Sequence, residues 1–299
     1  MEFLYLLSSH RTPFLDGVFS FITKFGEEVI ALGLICTLLW CVDKTLAYSV
    51  GYAFFFSAMC IQGLKVAFRI PRPWVIDPTF VPVNSAVKAA TGYSFPSGHT
   101  QVACSIYGTL GFSSKKKGIK LVMFSIIAGV AFSRMYLGVH TPKDVIVSFI
   151  ISILISYFTV RVLTTGANST HLNLISSSLL FFSSIAIWFF SVYLYRTDII
   201  SLHYASDCCK VAGSALGFSL GLFIEKTYIN YTVKTDKISQ QILKVTLGIA
   251  SLLVFKGGLK LLLGASIAAD TFRYFFLILW AIVLWPLLFT RFLKYKNRQ

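Results

Sequence analysis

The chain has 299 residues, of which 56% are hydrophobic and 13% charged, and its mean hydropathy is +0.74. That balance excludes a soluble domain of this size and makes the bilayer the solvent of the chain. A formal net charge of +15 would direct a soluble protein toward nucleic acid; in a membrane protein the cytoplasmic excess of Lys and Arg accounts for most of it, so lipid is the expected partner and nucleic acid is not.

In chain order, the opening "MEFLYLLSSHRTPFLDG" lacks a basic start and a small-residue cleavage site, and it does not read as a signal peptide. Segment 13–25, "PFLDGVFSFITKF", is short and mixed in character, which suits an interfacial amphipathic helix. Hydropathy then predicts nine crossings, at about 27–42, 45–64, 97–112, 119–138, 143–163, 172–195, 208–229, 242–263 and 271–293. The expected fold class is therefore all-α, a polytopic integral membrane helical bundle of about nine transmembrane helices. The 97–112 segment is short for a bilayer, which implies a start recessed inside protein. Cys36, Cys41, Cys60, Cys104, Cys208 and Cys209 lie in or beside apolar segments without CxxC spacing. They read as small buried hydrophobes, neither zinc ligands nor a disulfide framework.

Nine crossings put the termini on opposite sides, and basic residues decide the orientation. Lys115, Lys116, Lys117 and Lys120, then Lys226, Lys234, Lys237 and Lys244, then Arg291, Lys294, Lys296 and Arg298 all fall on one side, which should be cytoplasmic. The C-terminus is then inside. Loop 65–96, the head of the 97–112 helix and the turn at 138–142 face outside. A bacterial plasma membrane is the expected location, since "NST" at 168–170 and "NYT" at 230–232 fall on the cytoplasmic side and no retention signal stands out.

Three polar stretches gather on that external face: "KVAFRIPRP" with Lys65, Arg69 and Arg72; "GYSFPSGHTQ" with Ser97, Gly98 and His99; and "SRMYLGVHTPKD" with Ser133, Arg134, His140 and Asp144. Each has an ordinary explanation. Lys65, Arg69 and Arg134 can snorkel from span ends, Ser97 can cap a helix, and Thr141, Pro142 and Asp144 make a good helix start. Together they place three basic residues, two histidines and one acid at one depth beside two helix N-termini, and ionisable groups at membrane depth are costly and usually functional. The set has a chemical meaning. Lys65, Arg72 and Arg134 can neutralise the non-bridging oxygens of a phosphoryl group. The Ser97 hydroxyl and the N–H groups around Gly98 add donors. The two imidazoles supply a nucleophile and an acid, with Asp144 able to hold one ring nitrogen of His140 so that the other faces phosphorus. No metal or cofactor is implied, because the histidines and carboxylates are too few for a two-metal site and three fixed cations take over its charge-stabilising role. A Walker-type phosphate loop is absent as well.

These stretches, Lys65-x6-Arg72-Pro73, Pro96-Ser97-Gly98-His99 and Ser133-Arg134-x5-His140-x3-Asp144, resemble the three signature motifs of the type-2 phosphatidic acid phosphatase superfamily. The resemblance covers residues 65–144, with the helical context extending over about 13–163. It implies that His140 is the nucleophile and forms a phosphohistidine, that Asp144 orients and activates it, and that His99 protonates the leaving oxygen before water hydrolyses the phosphoenzyme. Lys65, Arg72, Ser97, Gly98 and Arg134 would bind the phosphate. The implied activity is that of a membrane lipid phosphatase, with polyprenyl diphosphate, phosphatidate and phosphatidylglycerophosphate as candidate substrates. A lipid phosphotransferase using the same intermediate is the rival within the enzyme class, and a lipid transporter or binding protein on the same scaffold is the rival outside it. Residues 1–163 form the expected phosphatase core, and 164–299 are additional transmembrane helices of unassigned role. In that region Lys256 and Lys260 either snorkel or line a polar path, and the loop at 196–210, with Arg196, Asp198, His203 and Asp207, is a solvated loop or a headgroup contact. Oligomeric state is left open.

Overall fold

A computed structural model describes residues 1–165, 170–233 and 237–296; helices make up its regular structure, with no strand among the described residues. Two short helices open the chain, α1 (Glu2–Ser9) and α2 (Pro13–Ile22), the second continued by a 3₁₀ turn at Thr23–Gly26. Next come α3 (Glu28–Thr37), ending in a π-helical turn at Leu38–Val42, and the long α4 (Lys44–Phe68). Single turns α5 (Pro73–Ile76) and α6 (Asn84–Val87) punctuate the following loop. The α7 helix (Gly98–Ala103) runs through a π turn at Cys104–Gly108 into α8 (Thr109–Ser113). Long helices follow: α9 (Lys117–Tyr136), α10 (Pro142–Thr165), α11 (Thr170–Arg196), α12 (Leu202–Ile224) with a π turn at Glu225–Ile229, and α13 (Ile238–Leu263). The chain closes with α14 (Ile267–Leu279), a π turn at Trp280–Leu284 and α15 (Trp285–Lys296).

Among the described residues seven helical segments are long and apolar enough to cross a membrane, and eight if α2 and α3, bent by 48° at their junction, form one broken crossing. The nine crossings expected from hydropathy are thus not all confirmed. The α7–α8 rod is too short to qualify, and every residue from Thr100 to Thr109 is buried in protein. A rod sheathed by its neighbours does not have to match the bilayer thickness. The 13–25 segment, expected at the interface, forms the first arm of that bent pair. Lys234, Arg298, Asn168 and Ser169 lie outside the described residues.

The chain divides into two compact units, Met1–Leu32 with Phe56–Arg161, and Gly33–Phe55 with Val162–Gln299. The second boundary lies beside the expected one at 163/164, and the stretch 33–55 is grouped with the C-terminal helices.

The first unit contains all three polar stretches. Its α2 helix is started by Thr12, whose hydroxyl accepts from the Leu15 N–H, with Pro13 at the first helical position. It lies on α9 through Phe19, whose ring centroid is 4.2 Å from that of Tyr136, and through Asp16, which accepts from the Tyr136 hydroxyl at 3.0 Å. A small core of Ala86, Ala90, Tyr136, Leu137 and Val139, covered by Leu15, Phe19, Trp74 and Val83, backs the loop between α9 and α10.

In the second unit, glycines on α12 allow close helix packing. A Cβ on Gly213 would stand 2.3 Å from the Thr271 carbonyl oxygen, and one on Gly217 2.5 Å from that of Phe275. Spaced four residues apart, they bring α12 and α14 into backbone contact, as small residues do where lipid removes any hydrophobic drive between helices. Near one end of that seam the Asp270 carboxylate takes hydrogen bonds from Ser206 and Arg273. Lys256 and Lys260 lie on the exposed side of α13, with the Lys256 ammonium over the Tyr274 ring. The six cysteines are all free; Cys36, Cys104, Cys208 and Cys209 are buried, whereas Cys60 is exposed and departs from the expected buried role.

Candidate active site

Two prolines shape the end of α4. The helix stops at Phe68, Arg69 takes a left-handed φ of 51°, and Pro71 and Pro73 turn the chain so that Arg72 is extended ahead of α5. Lys65, in the last turn of α4, and Arg72 both reach the same segment. The Lys65 ammonium donates to the Tyr93 carbonyl at 2.5 Å, and Arg72 Nε donates to the Gly92 carbonyl at 2.8 Å. Both side chains are buried.

Ser97 is the N-cap of α7: its hydroxyl accepts from the Thr100 backbone N–H and, at 3.0 Å, from the Thr100 hydroxyl. Its own N–H donates to the Asp144 carbonyl at 3.1 Å, and Ser148 donates to its carbonyl at 2.6 Å, which fastens the head of α7 to α10. Gly98 opens the helix with no side chain in the way, and His99 follows. Gly26 packs against His99 so closely that a Cβ there would stand 2.8 Å from the His99 carbonyl oxygen. The His99 Nε2 atom is buried and has no hydrogen-bond partner among the described residues, while Arg134, Arg72 and Lys65 all act on the ring electrostatically.

The third stretch closes α9 and opens α10. The Arg134 carbonyl accepts from the N–H groups of both Val139 and His140, at 3.1 and 3.3 Å, and Gly138 at φ 75° turns the loop. Thr141 is then the residue before α10 with Pro142 first in the helix, and Asp144 reaches back to accept from the Thr141 N–H at 2.8 Å. This is half of a capping box. The expected helix-start reading of Thr141, Pro142 and Asp144 therefore holds alongside any chemical one.

The structure brings the eight singled-out residues Lys65, Arg72, Ser97, Gly98, His99, Arg134, His140 and Asp144 into one region of the first unit. Arg72 Nη1 donates to the Val139 carbonyl and to His140 Nε2, each at 2.9 Å. His140 Nδ1 stands 3.6 Å from Asp144 Oδ2. Arg134, 1% exposed, donates through Nη1 to Thr23 at 2.8 Å, and its Nε has no partner among the described residues. Burial, reinforced by Arg72, Arg134, Lys65 and His99, holds the His140 imidazole well below its ordinary pKa of 6.5, so the ring is neutral. Arg69, grouped with the site by sequence, instead bonds its own helix end at the Val66 carbonyl.

Four participants carry no signal in the motif spacing. Ser94 donates to Asp144 Oδ2 at 2.6 Å, Thr23 holds Arg134, Glu27 acts on Arg134 electrostatically, and Ser148 ties down Ser97. Thr23 and Glu27 come from the junction of α2 and α3, far from the motifs in sequence. Ser94 alone was within reach, two residues ahead of Pro96 in the quoted stretch.

Residues 46–168 match the family model described as PAP2 superfamily, and residues 209–298 match that described as PAP2 superfamily phosphatase, transmembrane extension. The chain is 31% identical over 159 residues to undecaprenyl-diphosphatase BcrC of Bacillus subtilis, covering 51% of this chain and 77% of that protein. It is 28% identical over 167 residues to phosphatidylglycerophosphatase B of the same organism, covering 49% and 74%. A crystal structure of a transmembrane PAP2 type phosphatidylglycerolphosphate phosphatase from Bacillus subtilis superposes with a TM-score of 0.45 at 24% identity, over 54% of this chain and 81% of the other. The chain belongs to the PAP2 superfamily and is an integral membrane protein.

Proposed function

We propose that the chain is a lipid phosphatase that hydrolyses a lipid phosphate or diphosphate monoester through a phosphohistidine on His140. The carrying observation is the Arg72–His140–Asp144 arrangement. A guanidinium only donates, so Nε2 of the neutral ring presents its lone pair and the ring proton sits on Nδ1, toward Asp144. That is the tautomer a nucleophilic imidazole requires. Three cations, Lys65, Arg72 and Arg134, are buried in the same unit, where they can meet the oxygens of a phosphoryl group.

In the proposed reaction Arg72 turns its Nη1–H from Nε2 to a phosphoryl oxygen as phosphorus approaches, with Lys65, Arg134 and the N–H groups at the head of α7 sharing the remaining charge. The Nε2–P bond forms as the P–O bond to the lipid breaks, and His99, protonated once the bound phosphoryl charge offsets Arg134, Arg72 and Lys65, gives its proton to the leaving oxygen. Asp144 stabilises the positive charge that grows on the His140 ring. Neutral His99 then takes a proton from water, whose oxygen attacks phosphorus, and inorganic phosphate leaves with the His140 lone pair restored. No metal enters this scheme, in which the three cations carry the charge stabilisation.

The named activities of the relatives support polyprenyl diphosphate or phosphatidylglycerophosphate as the substrate class. The distribution of Lys and Arg supports an external active site and a cytoplasmic C-terminus. Catalysis is assigned to residues 1–163, and the helices from 164 onward stand outside the chemistry. The test is phosphate release by purified protein in detergent across a panel of lipid phosphates, with chelator present and His140→Ala as control. Release that survives chelation and is lost in the variant supports the reading. Transfer of label to a lipid alcohol without phosphate release would assign a phosphotransferase instead.

A further inference from the structure

We infer that Ser94 is a positioning residue for phosphoryl transfer, holding the Asp144 carboxylate in the orientation that serves His140. The inference rests on the reading of His140 as nucleophile. Ser94 is 1% exposed, and its hydroxyl donates to Asp144 Oδ2 at 2.6 Å. The same oxygen accepts from the Thr141 N–H at 2.8 Å and is the one that faces His140 Nδ1 at 3.6 Å. Two donors from opposite sides of the chain thus fix a single carboxylate oxygen, and that oxygen is the one turned to the ring.

Ser94 is itself held at the centre of the three polar stretches. Its N–H donates to the Ile70 carbonyl at 2.8 Å, its neighbours Tyr93 and Gly92 offer the carbonyls taken by Lys65 and Arg72, and Ser97 three residues on bonds the Asp144 backbone. A shift at Ser94 would therefore reach Asp144 through a side chain and both phosphate-binding cations through the backbone. At 3.6 Å the Nδ1···Oδ2 contact is longer than a formed hydrogen bond. It tightens when the ring becomes positively charged on attack, and a carboxylate already fixed by Ser94 and Thr141 meets that charge without reorganising.

The charged and titratable groups around this pair are named by the structure: Arg72, Arg134, Lys65 and His99 act on His140, and Ser94 and Thr141 bond Asp144.

The experiment compares Ser94→Ala, Ser94→Thr, Asp144→Asn and the Ser94→Ala/Asp144→Asn pair in full-length protein, with the lipid phosphate that wild type turns over fastest. Expected for Ser94→Ala is a kcat lower by roughly 10–100-fold, as for other supporting groups behind a reactive residue, with KM changed little. Ser94→Thr should restore most of kcat, and Ser94→Ala should cost nothing further on the Asp144→Asn background. Wild-type kcat in Ser94→Ala, or a full additive loss in the pair, would overturn the inference. If thermal unfolding shows Ser94→Ala to be misfolded, Ser94→Cys, close in shape and a weak donor, decides by the same readouts. Activity retained by His140→Ala would instead remove the underlying reading, which keeps the two failures apart.

Discussion

Arg72 and His140 are joined at 2.9 Å by a bond whose direction is fixed by chemistry: the guanidinium has only hydrogens to offer, so the imidazole Nε2 accepts. The same nitrogen of Arg72 spends its other hydrogen on the Val139 carbonyl, one residue earlier in the loop. Arg72 thus sets both the tautomer of His140 and the path of the backbone that carries it. Lysine has one compact charge and no planar fork. Arg72→Lys should therefore keep the charge and lose this double grip, with kcat/KM falling roughly 10–100-fold, or about 1.4–2.8 kcal/mol. Steady-state kinetics on purified variants checks this, and a change below threefold would show that charge alone suffices.

The pH profile offers a second check. Because burial and the surrounding cations depress the His140 pKa, the ring is neutral at and below its ordinary titration range. On acidification the nucleophile is lost only when pH passes through the depressed folded value, so the acidic limb of kcat assigned to His140 should lie well below 6.5. Arg134→Gln removes one of the depressing charges and should raise that limb. A limb at the ordinary histidine value in wild type would contradict the described electrostatics.

Gly138 cannot be replaced cheaply. Its φ is 75°, and a Cβ there would stand 2.6 Å from Arg11 Nη2 and 2.8 Å from the Phe80 ring. Arg11 is fixed by its bonds to the Tyr136 and Val81 carbonyls, so it has little room to yield. Gly138→Ala should destabilise the first unit by about 1–3 kcal/mol and lower activity without touching any phosphate ligand. Thermal unfolding in detergent, read together with phosphate release, tests both parts.

Thr23 gives a gentler perturbation. It accepts one hydrogen bond from the buried Arg134, and Thr23→Val removes that acceptor while keeping shape. Bonds to charged groups contribute about 1.5–3 kcal/mol. The loss should appear as a kcat/KM reduced by roughly 10-fold or more, and an unchanged value would mean that Arg134 is positioned by other contacts.

The α12–α14 seam predicts a stability effect in the second unit. Gly217→Leu would drive a side chain into the Phe275 carbonyl, and overpacking of that kind typically costs about 1–3 kcal/mol. The melting temperature should fall. A variant with an unchanged melting temperature would show that the helices are not held by backbone approach.

The motif residues were legible because each of their sequence stretches demands an explanation that apolar packing does not supply: Arg72 between two prolines, His99 behind a helix cap, His140 after a glycine turn. Composition and hydropathy likewise exposed an all-helical membrane bundle. What stayed hidden depends on contacts between distant segments. Thr23 and Glu27 reach Arg134 from more than a hundred residues away, and nothing local to them marks that role. Hydropathy alone could not count the crossings, because it cannot separate an apolar rod sheathed in protein, as at Thr100–Thr109, from one that meets lipid. Helix bends escape it too, so the turn between α2 and α3 and the π turns had no sequence signal.

The central claim is that phosphate passes through His140. The most direct test is rapid quench of wild-type protein with ³²P-labelled lipid phosphate, followed by peptide mapping of protein-bound label. Label that is stable to base, labile to acid, located on the peptide containing His140 and missing in His140→Ala is the predicted result. Phosphate release that proceeds at full rate with no such label, or with label on another residue, would contradict it.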